Sequence, residues 1–217
     1  MPVLDAVQEE LIRIPPAAPP GGDDGLPPER PAREPAVSNA RLGMLVFLAF
    51  EAMFFAGLLG AYLVFRLGAT AWPPPGEPYL PIGVTWVSTG ILLFSSYTMR
   101  RGLRAIRQDD RDGLSRWLLV TALYGTTFLA VQGYEWVGLV RFGLTLSSGV
   151  YGSTFYTLIG CHGLHVLGAV IWLLVALGLS RGPRFSARRH AGVQLCAMYW
   201  HFVVGLWLVL FPAVYLL

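Results

Sequence analysis

Leu42-Gly43-Met44-Leu45-Val46-Phe47-Leu48-Ala49-Phe50-Glu51-Ala52-Met53-Phe54-Phe55-Ala56-Gly57-Leu58-Leu59-Gly60-Ala61-Tyr62-Leu63-Val64-Phe65 is apolar throughout except for one acid near its centre. A run of this length, at 1.5 Å rise per residue, crosses a hydrocarbon core of about 30 Å. Four further runs follow, about Ile82–Met99, Trp117–Leu139, Tyr151–Leu179 and Ala191–Leu217. The pattern predicts an all-α integral membrane protein, a five-transmembrane-helix up-and-down bundle. The composition agrees: 54% of the 217 residues are hydrophobic and only 13% are charged, about half the charged share of a soluble domain.

All 16 basic residues are arginine. Arg100, Arg101, Arg104, Arg107, Arg111 and Arg116 fill the second connection, and Arg181, Arg184, Arg188 and Arg189 the fourth. Arg13, Arg30, Arg33 and Arg41 precede the first span. The other two connections hold Arg66 and Arg141, so 14 of the 16 lie on one face. The positive-inside rule makes that face cytoplasmic, giving an amino terminus inside and a carboxyl terminus outside. Topology thus accounts for the formal charge of +3, and no nucleic-acid partner is expected.

Residues 1–37 differ in kind, holding nine of the 16 prolines and seven of the 13 acids. They are expected to form a disordered, Pro-rich tail, with a short amphipathic helix over Val3, Val7, Leu11 and Ile14. No cleavable signal peptide is expected. The membrane domain is then residues 38–217. Between its first two spans, Trp72-Pro73-Pro74-Pro75-Gly76-Glu77-Pro78 reads as a stiff outer connector, with Trp72 and Tyr79 in the interfacial aromatic belt. Cys161 and Cys196 have no partner at metal-ligand spacing and read as apolar filler.

Ionisable and amide side chains within the bilayer mark function or helix pairing. Counting residues from the span ends puts Glu51, His162, His165 and His201 in one layer near the midplane, with His162 and His165 on one helix face. Gln132 and Glu135 lie nearer the outer surface. Ala52, Ala56 and Gly60 form a small-residue stripe that permits close helix approach. Three readings of the layer are open: polar contacts fixing the bundle, a b-type haem held by His201 with His162 or His165, and a proton relay or transporter site using Glu51 and the histidines. A haem-copper catalytic centre is excluded, because it needs more histidines than the four present.

Five stretches, in order, carry a family resemblance: Glu51-Ala52-Met53-Phe54-Phe55-Ala56-Gly57, Trp72-Pro73-Pro74-Pro75-Gly76, Gln132-Gly133-Tyr134-Glu135-Trp136, Tyr151-Gly152-Ser153-Thr154-Phe155-Tyr156 leading to Gly160-Cys161-His162-Gly163-Leu164-His165-Val166, and Tyr199-Trp200-His201-Phe202. Over residues 38–217 the chain resembles subunit III of the haem-copper respiratory oxidases, in its five-helix bacterial form. The resemblance implies a non-redox subunit of a proton-pumping cytochrome c:oxygen oxidase in aerobic electron transport. Such a subunit stabilises catalytic subunit I and supports proton uptake. It has no cofactor of its own; haem and copper lie in partner subunits, and phospholipid binds between helices. The implied partners are subunits I and II, smaller oxidase subunits, membrane lipids and a respiratory supercomplex, in a bacterial inner or plasma membrane. Glu51 would be the family's membrane glutamate, and His162, His165 and His201 bundle-stabilising polar residues. Two features depart from the family. The amino-terminal helix pair of the seven-helix form is replaced here by the tail. Val204 stands where the family commonly has Asp, three residues after the last-span histidine. A quinol oxidase or nitric oxide reductase accessory subunit of the same fold is the near alternative. A b-haem-binding, quinol-handling membrane anchor is the alternative from another class.

Overall fold

The computed structural model describes residues 38–217 apart from Tyr79, Pro183 and Arg184. The expected tail and amphipathic helix, and the belt position given to Tyr79, lie outside the described residues. Within them are five helices long and apolar enough to cross a membrane. They are α1 (Asn39–Gly68), α2 (Ile82–Arg107), α3 (Arg111–Arg141), α4 (Gly149–Ser180) and α5 (Ala191–Phe211), the last continuing as a π-helical turn, Pro212–Leu216.

The helices outrun the apolar stretches, most of all at the arginine clusters. Arginine is a good helix former and reaches the interface from inside a helix, so nothing stops α2 at Met99. Arg100, Arg101, Arg104 and Arg107 form its last two turns, and Arg111 and Arg116 begin α3. The connection expected to contain these arginines is therefore only Gln108–Asp110. Asp109 adopts a left-handed conformation there (φ 60°), and the Asp110 carboxylate caps α3 by accepting from the Gly113 N–H at 2.8 Å.

Helices α2, α3, α4 and α5 pack in sequence, and α5 closes back on α2. Helix α1 lies along the α4–α5 edge of this four-helix core. Only Met44, Phe55 and Tyr62 of α1 are buried. The core centres on Trp200 and Trp207 of α5, with Phe128 of α3, Phe155 of α4, and Leu92 and Met99 of α2.

The ends of the bundle are tied by their connections. The Ala187 N–H donates to Asp109 Oδ1 at 3.0 Å, and the Ser115 and Ser180 hydroxyls meet at 2.7 Å. Both arginine-rich turns therefore lie at the same end, as an up-and-down chain requires. At the other end the Tyr151 hydroxyl donates to the Pro78 carbonyl at 3.3 Å. Trp72, expected in the interfacial aromatic belt, is half-buried at this end of the bundle. Its ring sits edge-on against Tyr62 and Tyr151, at 5.7 and 5.1 Å, because the connector folds back over α1 and α4.

Candidate functional site

The membrane acid has a partner on another helix. Glu51 Oε2 of α1 lies 2.9 Å from Nε2 of His165 on α4. The other ring nitrogen of His165, Nδ1, lies 2.7 Å from the Cys161 carbonyl one turn earlier. A carbonyl oxygen only accepts, so Nδ1 carries a proton. Two arrangements then satisfy Nε2: a neutral imidazole accepting from a protonated Glu51, or an imidazolium donating to its carboxylate. Both sum to zero charge, so one proton can shift between Glu51 and His165 without changing the net charge held in the bilayer. Phe55 stands edge-on to the imidazole at 5.0 Å and Phe54 stacks beside it at 6.4 Å, which narrows water access. The pair is not sealed. Its side chains remain 20% and 18% exposed, at the rim of the bundle rather than in its core.

The other members of the expected layer go elsewhere. His162 is buried and stacks on Trp207 at 5.2 Å; neither of its ring nitrogens has a protein partner. Phe55 touches both histidines, edge-on to His162 at 6.3 Å, so the two flank one phenyl ring instead of forming a polar cluster. His201 turns to α2, where its Nδ1 meets the Ser96 hydroxyl at 2.6 Å. Depth counting fixes height in the membrane but not direction around a helix, and here the directions diverge. Gln132 is buried with its amide nitrogen unpartnered, and Glu135 is half-buried beside Pro78 and Pro81. Ala52, Ala56 and Gly60 all face outward, and a Cβ on Gly60 would touch nothing within 4 Å. Among the described residues, no helix uses the close approach that the stripe permits.

Sequence reasoning missed a row of hydroxyls on α2. Thr85, Ser88, Thr89, Ser95 and Thr98 are all buried. Trp207 Nε1 donates to Thr89 Oγ1 at 2.9 Å, Trp200 Nε1 donates to Ser95 Oγ at 3.1 Å, and Thr98 and Thr121 pair at 2.8 Å across α2 and α3. Such contacts matter in a bilayer, where burying an apolar side chain against lipid or against protein differs little. The available signal was the three- and four-residue spacing of Ser and Thr along one face of α2. Cys196 is buried as expected, but Cys161 is only half-buried.

The packing leaves little for a haem between α4 and α5. Trp207 covers the His162 ring, Trp200 and Trp207 are fully enclosed, and both nitrogens of His165 are engaged. No group of three or more His, Cys, Asp or Glu side chains that could hold a metal occurs among the described residues.

Residues 32–217 match the family described as cytochrome c oxidase subunit III. The chain is 44% identical over 176 residues to cytochrome c oxidase subunit 3 of Synechocystis sp., covering 81% of this chain and 74% of that one. It is 39% identical over 177 residues to the protein of the same name from Thermostichus vulcanus, covering 81% and 86%. To that of Corynebacterium diphtheriae it is 37% identical over 199 residues, covering 90% and 96%.

Proposed function

We propose, because this chain belongs to the cytochrome c oxidase subunit III family, that it is the supporting subunit of a bacterial plasma-membrane oxidase that takes electrons from cytochrome c. It stabilises the haem-copper catalytic subunit and assists proton uptake, with oxidase subunits I and II as its partners. Residues 38–217 are its membrane domain, with the amino terminus in the cytoplasm and the carboxyl terminus outside. The grouping of 14 of 16 arginines on one face supports that orientation. Cytochrome c as donor is supported by the names of the relatives.

The observation that carries the supporting role is the Glu51–His165 pair. It is a proton-sharing unit at a helix–helix seam, open at the edge of the bundle, on a chain whose core is filled by tryptophan and aliphatic packing. A group so placed can hold α1 to α4 and exchange a proton with its surroundings, but it cannot carry electrons. His162, His201, Gln132 and Glu135 act as bundle residues on this reading, and Ala52, Ala56 and Gly60 as a packing surface for a neighbour.

Purification of the native complex through this chain tests the proposal. A haem-copper catalytic subunit should accompany it, and removing the chain should leave oxygen reduction running while the number of turnovers before inactivation falls. Isolation of the chain without any such subunit overturns the assignment. So does a Soret band on the isolated chain that disappears with substitution of His162, His165 or His201.

A further inference from the structure

The Glu51–His165 pair is not screened equally toward the two ends of the bundle. On the side of the arginine-rich turns, Phe47 of α1 lies one helical turn from Glu51, and Trp172 of α4 two turns from His165. Both rings pack on Tyr199 of α5 with centroids 6.0 Å apart, so three aromatic side chains close the seam there.

On the other side the seam between α1 and α4 is grooved. A cavity of about 140 Å³ has Leu58, Ala61 and Tyr62 on one wall and Ser153, Thr154 and Thr157 on the other. Beyond it a cavity of about 510 Å³ runs from Val64 and Tyr151 to Trp72, Glu77 and Ser148 at the outer connector. The two follow one another along the same pair of helices. The His165 ring leans back to the Cys161 carbonyl, so about one turn of α4, or about 6 Å, separates it from Thr157. Phe54 stacks beside the imidazole at this step and is itself 47% exposed.

Ser153, Thr154 and Thr157 put hydroxyls on the face of α4 that lines this groove. The first two donate to the Val150 carbonyl and keep their lone pairs for accepting. Hydroxyls repeated along one helix face supply the several polar partners that an ordered water needs. At the mouth Glu77 is half-buried, and the Arg66 guanidinium lies 5.9 Å from the centre of the Trp72 ring, so both signs of charge meet bulk water there. An intramembrane acid and histidine that adjoin a polar groove have the form of a proton pathway.

We propose that the Glu51–His165 pair exchanges its proton with the outer aqueous phase, through water held in the α1–α4 seam. The route runs past Phe54 to Thr157 and Thr154 and opens at Glu77. Water at the pair takes up the shared proton as another is returned, so the pair is neutral before and after. The route rests on the pair being the proton-sharing unit proposed above, and adds the side of the membrane with which that unit communicates.

The test uses the native complex in membrane vesicles of known sidedness. A charged, membrane-impermeant methanethiosulfonate reacts with a cysteine as its thiolate, which forms in water and not in hydrocarbon. Thr154→Cys and Thr157→Cys are made in a Cys161→Ser background, which keeps the backbone carbonyl. Both should react when the reagent is on the side of the outer connector. Neither should react when it is on the side that labels Arg188→Cys, the marker of the arginine-rich face. Leu48→Cys, three residues from Glu51 on the closed side, should react from neither. Infrared bands that vanish in Glu51→Gln report the pair itself. Their shift in D2O should slow about tenfold in Thr157→Leu, which fills the groove and removes a hydroxyl, the effect of about one hydrogen bond. Failure of Thr154→Cys and Thr157→Cys to react from either side, or their reaction from the Arg188 side, overturns the route and leaves the pair standing. So does reaction of Leu48→Cys from the Arg188 side, or an exchange rate unchanged by Thr157→Leu. Bands that never shift in D2O remove the proton-sharing pair, and the route with it.

Discussion

Replacing Glu51 by glutamine and by alanine separates two properties of the Glu51–His165 pair. The Cys161 carbonyl fixes a proton on Nδ1, so Nε2 of an uncharged His165 needs a donor from α1. A glutamine amide supplies one from nearly the same position; alanine supplies none. Interhelical polar contacts in membranes contribute about 0.6–2 kcal/mol, so Glu51→Ala should raise the fraction of α1 detached from the α4–α5 edge roughly 3- to 30-fold. That is a large effect for a helix that buries only Met44, Phe55 and Tyr62. Hydrogen exchange of α1 amides in the assembled complex reads it directly, and the number of turnovers before inactivation reads its consequence. We expect Glu51→Gln to keep wild-type exchange protection. If the pair also hands protons onward, this variant slows proton uptake while α1 stays in place, because an amide does not titrate. Exchange in Glu51→Gln as fast as in Glu51→Ala would refute the reasoning. It would mean that His165 is an imidazolium facing a carboxylate, an arrangement glutamine cannot copy.

Gly125→Ala should destabilise the bundle. Its new Cβ would overlap Trp200 Cη2 and come within 3.0 Å of Val170 Cγ2, and Trp200 is fully buried with its indole N–H on Ser95. Overpacking of this kind costs about 1–3 kcal/mol, or a melting shift of roughly 2–12 °C by thermal denaturation of the complex. Gly138→Ala in the same helix meets nothing within 4 Å and should leave the melt nearly unchanged, so equal melts for the two variants would contradict the placement of Trp200. Asp110→Ala removes the cap on the Gly113 N–H and should cost about 1 kcal/mol, seen as faster amide exchange confined to the first turn of α3. Trp207→Phe keeps an aromatic ring against His162 but loses the donor to Thr89; about 0.6–2 kcal/mol should be lost from the α2–α5 contact, with Thr89→Val producing a loss of similar size and the double variant little more than either alone.

Length and charge placement made the five crossings legible, because a bilayer sets both the span and the side on which arginine collects. The same solvent hides what lies between the crossings. In water an amphipathic stripe tells which face of a helix is inside, but a helix in lipid is apolar all round. The phase of α1 and α5 therefore could not be read from hydrophobicity. Counting residues gave Glu51, His162, His165 and His201 a height but not a direction: His201 turns to Ser96, while Glu51 and His165 face each other. The same loss of phase information hid that Ala52, Ala56 and Gly60 face away from every other described helix. Helix ends failed for a different reason: arginine raises polarity without breaking a helix, so the last turns of α2 looked like a loop. Polar spacing is the signal that survives in lipid. Thr85, Ser88, Thr89, Ser95 and Thr98 mark one face of α2 as inward, and the indole donors of Trp200 and Trp207 identify the helix it faces. In such a bundle the small polar residues, more than the large apolar ones, specify which helices are neighbours.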